Sequence, residues 1–231
     1  MRLKSEHPAV LEARTIHVGS KRPAEDKPVI KMASNNRKLA GDDPIIWKGP
    51  WKGAPMFSVT LEERATCPTD CHHWRDCYGN NMAFAHRFEH GAKLEAKIRQ
   101  EIEVLIKKYR KIVVRLHILG DFYSVDYVNM WAELLSKYPG LHLFGYTARH
   151  NDEIAVSIQA LNSFFTTRCV IRTSRNKPFE PNEPHTRYAA TSDFSGKAID
   201  CPEQTGKVAG CAQCGLCLNP KFNETVRFAT H

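Results

Sequence analysis

No stretch of this chain stays apolar for the roughly 20 residues that a bilayer-spanning helix requires, and its mean hydropathy is negative. The expectation is a chain without a transmembrane helix and without a membrane partner. The first residues, Met1-Arg2-Leu3-Lys4-Ser5-Glu6-His7, carry basic groups but lack an apolar core behind them, so they do not read as a secretory signal. A cytoplasmic protein is expected. Thiols stay reduced in that compartment, which makes disulfides a minor option for the eight cysteines and favours metal ligation. A massed basic tract is also missing: 33 Lys+Arg against 25 Asp+Glu give a net charge of +8, spread along the length. That balance suits an anionic partner such as a nucleic acid, a nucleotide or a phosphorylated small molecule, and equally suits a solvated basic surface.

Sustained periodicity is absent from residues 1–55, where Pro8, Pro23, Pro28, Pro44, Pro50 and Pro55 punctuate the chain. This part is expected to be an irregular N-terminal arm. Its Trp47 and Trp51, set among glycines and prolines, either anchor the arm or stack on a ligand base, and anchoring is the expected role.

Residues 56–175 carry the regular patterns. An apolar run at Met56–Leu61 suggests a strand, and Leu94, Ile98, Ile102, Leu105 and Ile106 mark an amphipathic helix within 82–110, interrupted at Gly91. Ile112–Asp121 is a near-continuous apolar strand. Its Ile112, Val114, Leu116 and Ile118 share one face, while Arg115 and His117 lie on the other with Val113 and Leu119. Ser124 caps a helix that Pro139-Gly140 stops, a strand follows at Leu141–Thr147, Asn151-Asp152-Glu153 opens another helix, and Cys169–Ser174 is the next strand. Residues 176–231 add a strand near Tyr188–Phe194, a cysteine-rich segment and a last strand at Thr225–His231. The fold class is α/β: a partial (βα) barrel of about six mostly parallel strands, too few to close the eight-stranded form.

Seven cysteines fall into two sets. Cys67, Cys71 and Cys77 form Cys-x3-Cys-x5-Cys after the first strand; Cys201, Cys211, Cys214 and Cys217 form Cys-x9-Cys-x2-Cys-x2-Cys. The dense second run suits a four-thiolate [4Fe–4S] cluster, with a four-cysteine zinc site as the alternative. Three thiolates in the first set would leave one iron open, as catalytic centres require. The alternative there is zinc completed by His72, His73 or His86; a finger of Cys-x5-Cys-x3-His type is excluded because the fourth position is Asn81. Cys169, alone in an apolar strand, is expected to be a buried small hydrophobe.

A strand, a three-cysteine loop with Cys77-Tyr78, a helix and a second strand ending in Leu119-Gly120-Asp121 resemble the start of a radical S-adenosylmethionine (SAM) enzyme. The resemblance implies a [4Fe–4S] cluster on Cys67, Cys71 and Cys77, with Tyr78 near the adenine and Gly120 with Asp121 at the amino group of SAM. The family's usual last gap is two residues, whereas it is five here, and Asp stands where Glu is common. Cys67-Pro68-x-x-Cys71, Cys77-Tyr78, Arg115-Leu116-His117-x-x-Gly120-Asp121-Phe122, Tyr146-Thr147 and the terminal cysteines are also similar, over about residues 35–231, to the uncharacterised phage family called gene product eighty-eight.

Under the radical SAM reading, Arg115 and His117 are candidate catalytic residues, and Tyr146, Arg172 and Ser174 are candidate cofactor contacts at strand C-termini. The implied cofactors are two [4Fe–4S] clusters and SAM, and the implied partners are an electron donor and an anionic or nucleic-acid-related substrate. Two alternatives stay open: a zinc-stabilised basic nucleic-acid-binding module, and an iron–sulfur electron-transfer protein that binds no SAM.

Overall fold

Alternation within Ile112–Leu116 decides how the centre of the molecule is layered. In the computed structural model, which describes residues 6–175, 188–190 and 194–229, Ile112, Val114 and Leu116 of this strand enter one apolar cluster, and Val113 enters a second. A strand covered on both faces needs apolar side chains on both, and this one has them.

The strands in chain order are β1 (Lys21–Arg22), β2 (Lys31–Met32), β3 (Met56–Ser58), β4 (Arg87–Phe88), β5 (Ile112–Leu116), β6 (Leu141–Thr147), β7 (Cys169–Arg175), β8 (Tyr188–Ala190), β9 (Ile199–Asp200) and β10 (Val226–Arg227). The α-helices are α1 (Pro8–Leu11), α2 (Arg37–Ala40), α3 (Glu63–Thr66), α4 (Ala92–Tyr109), α5 (Val125–Lys137), α6 (Glu153–Phe164) and α7 (Cys211–Cys214). β1 and β4 form a separate parallel pair. The remaining strands make one sheet in the order β2-β3-β5-β6-β7-β8-β10-β9, in which β2 is antiparallel to β3 and all other neighbours are parallel. The fold is therefore α/β with a mostly parallel sheet.

The six expected strands correspond to β3, β5, β6, β7, β8 and β10, which are consecutive in that sheet. That sheet has eight strands among the described residues, because β2 and β9 add one to each edge; two-residue strands carry no alternation to read. Thr230 and His231 of the expected last strand lie outside the described residues. One further correction concerns Ile118. Pairing between β5 and β6 stops at Leu116 opposite Gly145, so the alternation ends there and Ile118 joins the cluster of Val113.

Helices α4, α5 and α6 cover one face. Ser124 Oγ accepts from the Tyr127 amide at 3.1 Å and Asp152 from that of Ala155 at 2.7 Å, which satisfies the first orphan donors of α5 and α6. Gly91, at φ +121°, begins α4 instead of interrupting it, since that backbone angle belongs to no helix.

The other face is covered by both ends of the chain. Residues 6–55 carry α1, α2, β1 and β2, each two to four residues long and joined by irregular chain; Leu39, Ile46 and Trp51 pack in the cluster of Val113, whereas Val29 packs on the helix side. Their order comes from docking, with the Glu101 carboxylate accepting from the amides of Val29 and Ile30. Trp51 is the anchor, its ring 4.7 Å from that of His142, whereas Trp47 stays half-exposed. Gln213 Nε2 of α7 donates to the carbonyls of Ala40 and Asp43 at 2.8 and 3.0 Å. Gly41 makes that approach possible: its φ is +59°, and a Cβ there would lie 2.6 Å from Gln213 Oε1. The N-terminal segment thus holds the C-terminal cysteines against the sheet. Among the described residues no helix is long and apolar enough to cross a membrane.

Candidate functional site

The first cysteine set begins where α3 ends, and three arginines hold its loop. Arg87, fully buried, donates to Glu63 at 2.7 Å, to Ser20 Oγ, and to the carbonyls of Gly79, Met82 and Ala85. A buried guanidinium with every donor side occupied is tolerated because its charge meets Glu63 and its N–H groups meet oxygens. Arg64 donates to Trp74 O and Asn80 Oδ1, and Asn80 in turn donates to Arg75 O. Arg149 reaches from the end of β6 to the carbonyls of Thr66 and Phe122 and to Asp152. Sequence reasoning missed Arg64, Asn80, Arg87 and Arg149. In a basic chain they look like ordinary exposed polar residues, and only the burial of Arg64, Asn80 and Arg87 and the carbonyl partners of Arg149 separate them.

At the C-terminal ends of the parallel strands lies a cavity of about 450 Å³. Cys67, Cys71 and Cys77 line it, and so do Cys201, Cys211, Cys214 and Cys217, brought from more than a hundred residues further along. Cys169 is buried in β7 within the helix-side cluster, as a small hydrophobe would be.

Electrostatics keep the two sets distinct. Burial pushes the Cys67 thiol well up, and Asp121, Cys71 and Cys77 add to it; burial likewise takes Cys71 up to about 12. In the second set burial raises Cys211, with Cys217 and Cys201 contributing, and raises Cys217 against the opposing influence of Arg172 and Tyr146. Buried, mutually repelling thiols release their protons readily only to a cation that takes up the charge. The donor set therefore fits a thiophilic metal group. Among the described residues no three His, Cys, Asp or Glu side chains converge as ligands of a single ion do. Of the imidazoles weighed for zinc, His73 lines the cavity beside Asp76 at 3.3 Å, and His86 turns to Lys31 Nζ at 3.0 Å outside it.

Tyr78, Arg115, His117, Gly120, Asp121, Tyr146 and Ser174 all line the cavity. Gly120 has φ +82°, and a Cβ would stand 2.6 Å from Leu61 Cβ and Thr66 Oγ1, so glycine is required there. Two of these residues also have structural partners. Asp121 accepts from the amides of Phe122 and Ala148, each at 2.7 Å, and its own amide donates to Thr66 Oγ1; it braces the ends of β5 and β6, and burial raises its carboxyl to about 6. His117 does not share the outlook of Arg115. Its ring packs against Phe122 and Tyr127, and its Nε2 is 3.0 Å from the Tyr127 hydroxyl, the environment of a core histidine. Arg172 is not on the cavity wall; it donates to the carbonyls of Glu224 and Phe222, tying the last segment to β7 close to Cys217.

Comparison with known proteins adds a family relation. A family model described as Gene product 88 matches residues 29–164. A "Gene 88 protein" of Mycobacterium phage D29 is 27% identical over 139 residues, 54% of this chain and 57% of the phage protein. Another, of Mycobacterium phage L5, is 28% identical over 130 residues, 50% of this chain and 54% of that protein. The chain thus spans a little over half the length of these curated relatives. The family match includes the first cysteine set and β5 but ends before the second set, short of the reach to residue 231 that the motifs suggest. No solved structure matches the chain.

Proposed function

The chain belongs to the Gene product 88 family, and from that premise we propose that it is an iron–sulfur enzyme of the radical SAM type acting on an anionic or nucleic-acid-related substrate. The observation that carries this reading is the convergence of two cysteine sets, three and four, on one cavity at the C-terminal ends of parallel strands. Catalytic sites of (βα) barrels occupy that end, and the parallel strands are read as an open portion of such a barrel.

Cys67, Cys71 and Cys77 would hold a [4Fe–4S] cluster with one iron free, and Cys201, Cys211, Cys214 and Cys217 a fully ligated one. With SAM bound at the free iron, the cluster supplies one-electron reductive chemistry that the protein alone lacks. The chain's own residues arrange the chamber. Arg87 and Glu63 fix the three-cysteine loop, and Asp121 holds the turn at Gly120 so that backbone can approach SAM closely. Tyr78 and Ser174 bound the cofactor side, and Arg115 with Tyr146 faces the substrate. An external electron donor is required.

Anaerobic purification followed by iron and sulfide counting tests the reading. About eight irons per chain are expected from two cubanes. Stoichiometric zinc without iron or sulfide would overturn it.

A further inference from the structure

Four side chains of the cavity wall form a ladder. The Arg115 guanidinium lies 4.3 Å from the ring centroid of Tyr146, Tyr146 meets Phe228 edge to face at 5.4 Å, and Lys38 Nζ stands 5.5 Å from the Phe228 ring. All four line the cavity. Among the described residues each cation is therefore steadied by an aromatic face and not by a carboxylate, which leaves N–H donors free. Arg115 donates one hydrogen bond, from Nη1 to the Leu116 carbonyl at 2.7 Å, and among the described residues neither Arg115 nor Lys38 has an ion-pair partner. The acids on the same wall are otherwise engaged. Glu63 is paired with Arg87, Asp121 accepts two amides, and Asp76 meets His73, leaving Glu203, among the described residues, as the one free carboxylate against two free cations.

Resting on the reading of this cavity as a reaction chamber, we propose that Lys38 and Arg115 form an oxyanion subsite that takes a carboxylate or phosphate group of the substrate. The guanidinium offers a planar fork for bidentate contact, and the ammonium adds a point charge. Leu39, Ile118 and Leu218 line the same cavity, and apolar surroundings strengthen such contacts relative to water. Cys211 and Cys217 line the same cavity as both cations, which puts the subsite in one chamber with the second thiol set.

The test uses the full chain, purified anaerobically, with inorganic phosphate and acetate titrated at constant ionic strength maintained by chloride. Thermal melting and iron content are read on the same samples of wild type, Arg115→Gln, Lys38→Gln and the remote control Lys137→Gln. A saturable rise in Tm is expected for wild type and the control. Each cavity variant should weaken the apparent affinity roughly tenfold or more, as loss of a charge-assisted contact does, with iron content retained. A larger response to phosphate than to acetate identifies a phosphorylated substrate, and the reverse a carboxylate. Absence of a saturable response to either anion overturns the subsite, as does a variant that binds like wild type. Loss of iron together with anion binding also overturns it, because the cations would then be counter-charges of the thiolates. Saturable binding by a wild-type protein that carries no iron supports the subsite and overturns the iron–sulfur reading instead.

Discussion

Tyr146 carries the guanidinium of Arg115 over its ring, 4.3 Å from the centroid, and its phenol lies close enough to the Cys217 thiol for the two groups to shift each other's ionisation. A residue near the end of β6 thus links the inner face of β5 to the second thiol set. Hydrogen bonds to cluster sulfurs stabilise the more reduced, more negative state. Replacing Tyr146 with Phe should therefore lower the reduction potential of the second cluster and leave the first unchanged, as followed by EPR-monitored redox titration.

The partition of cysteines predicts a partition of iron. Cys77→Ser and Cys214→Ser should each retain about half of the wild-type iron, on the basis of one surviving cubane. Combined, they should retain almost none, whereas Cys169→Ser should retain all of it. Iron and sulfide assays on the four proteins check this.

Arg87→Met should destabilise the fold by about 3–5 kcal/mol, because the buried Glu63 carboxylate keeps only the more distant Arg64, at 3.6 Å, as counter-charge and three carbonyls lose their donor. Urea unfolding gives the loss. Adding Glu63→Gln should recover part of it, since the uncompensated charge is then gone.

Acid should weaken the fold through two histidines. Burial pulls both His117 and His142 down to about 3, so they are neutral in the folded protein. The unfolded chain binds those protons below about pH 6.5, and the folded chain does not until about pH 3. Stability is thus fully present above pH 6.5 and is lost progressively as pH falls through that window, by roughly 2 kcal/mol per histidine at pH 5. His142→Phe keeps the contact with Trp51 and should flatten the pH dependence measured by urea unfolding at pH 7 and pH 5.

Long periodic segments and cysteine spacing were legible before any coordinates. The helix carrying Leu94, Ile98 and Ile102, the Ser124 cap, the helix start at Asn151-Asp152-Glu153 and the existence of six mostly parallel strands follow from local pattern, whereas their order in the sheet is a property of the fold. Residues 6–55 were not legible, because their order arises from docking contacts such as Trp51 on His142. Site chemistry divided in the same way. Spacing grouped the thiols, but the meeting of Cys67 and Cys201 on one cavity is a property of the fold, as is the burial of Arg87. Asp121 and His117 were singled out by position, and only their partners, Ala148 and Tyr127, reveal bracing roles.

The proposed open iron on Cys67, Cys71 and Cys77 is tested most directly in the Cys211→Ala/Cys214→Ala protein, where only the first cluster should remain. After dithionite reduction its EPR spectrum should show a [4Fe–4S]⁺ signal that changes when SAM is added. A spectrum indifferent to SAM, or a site filled by zinc with no signal, would contradict the account.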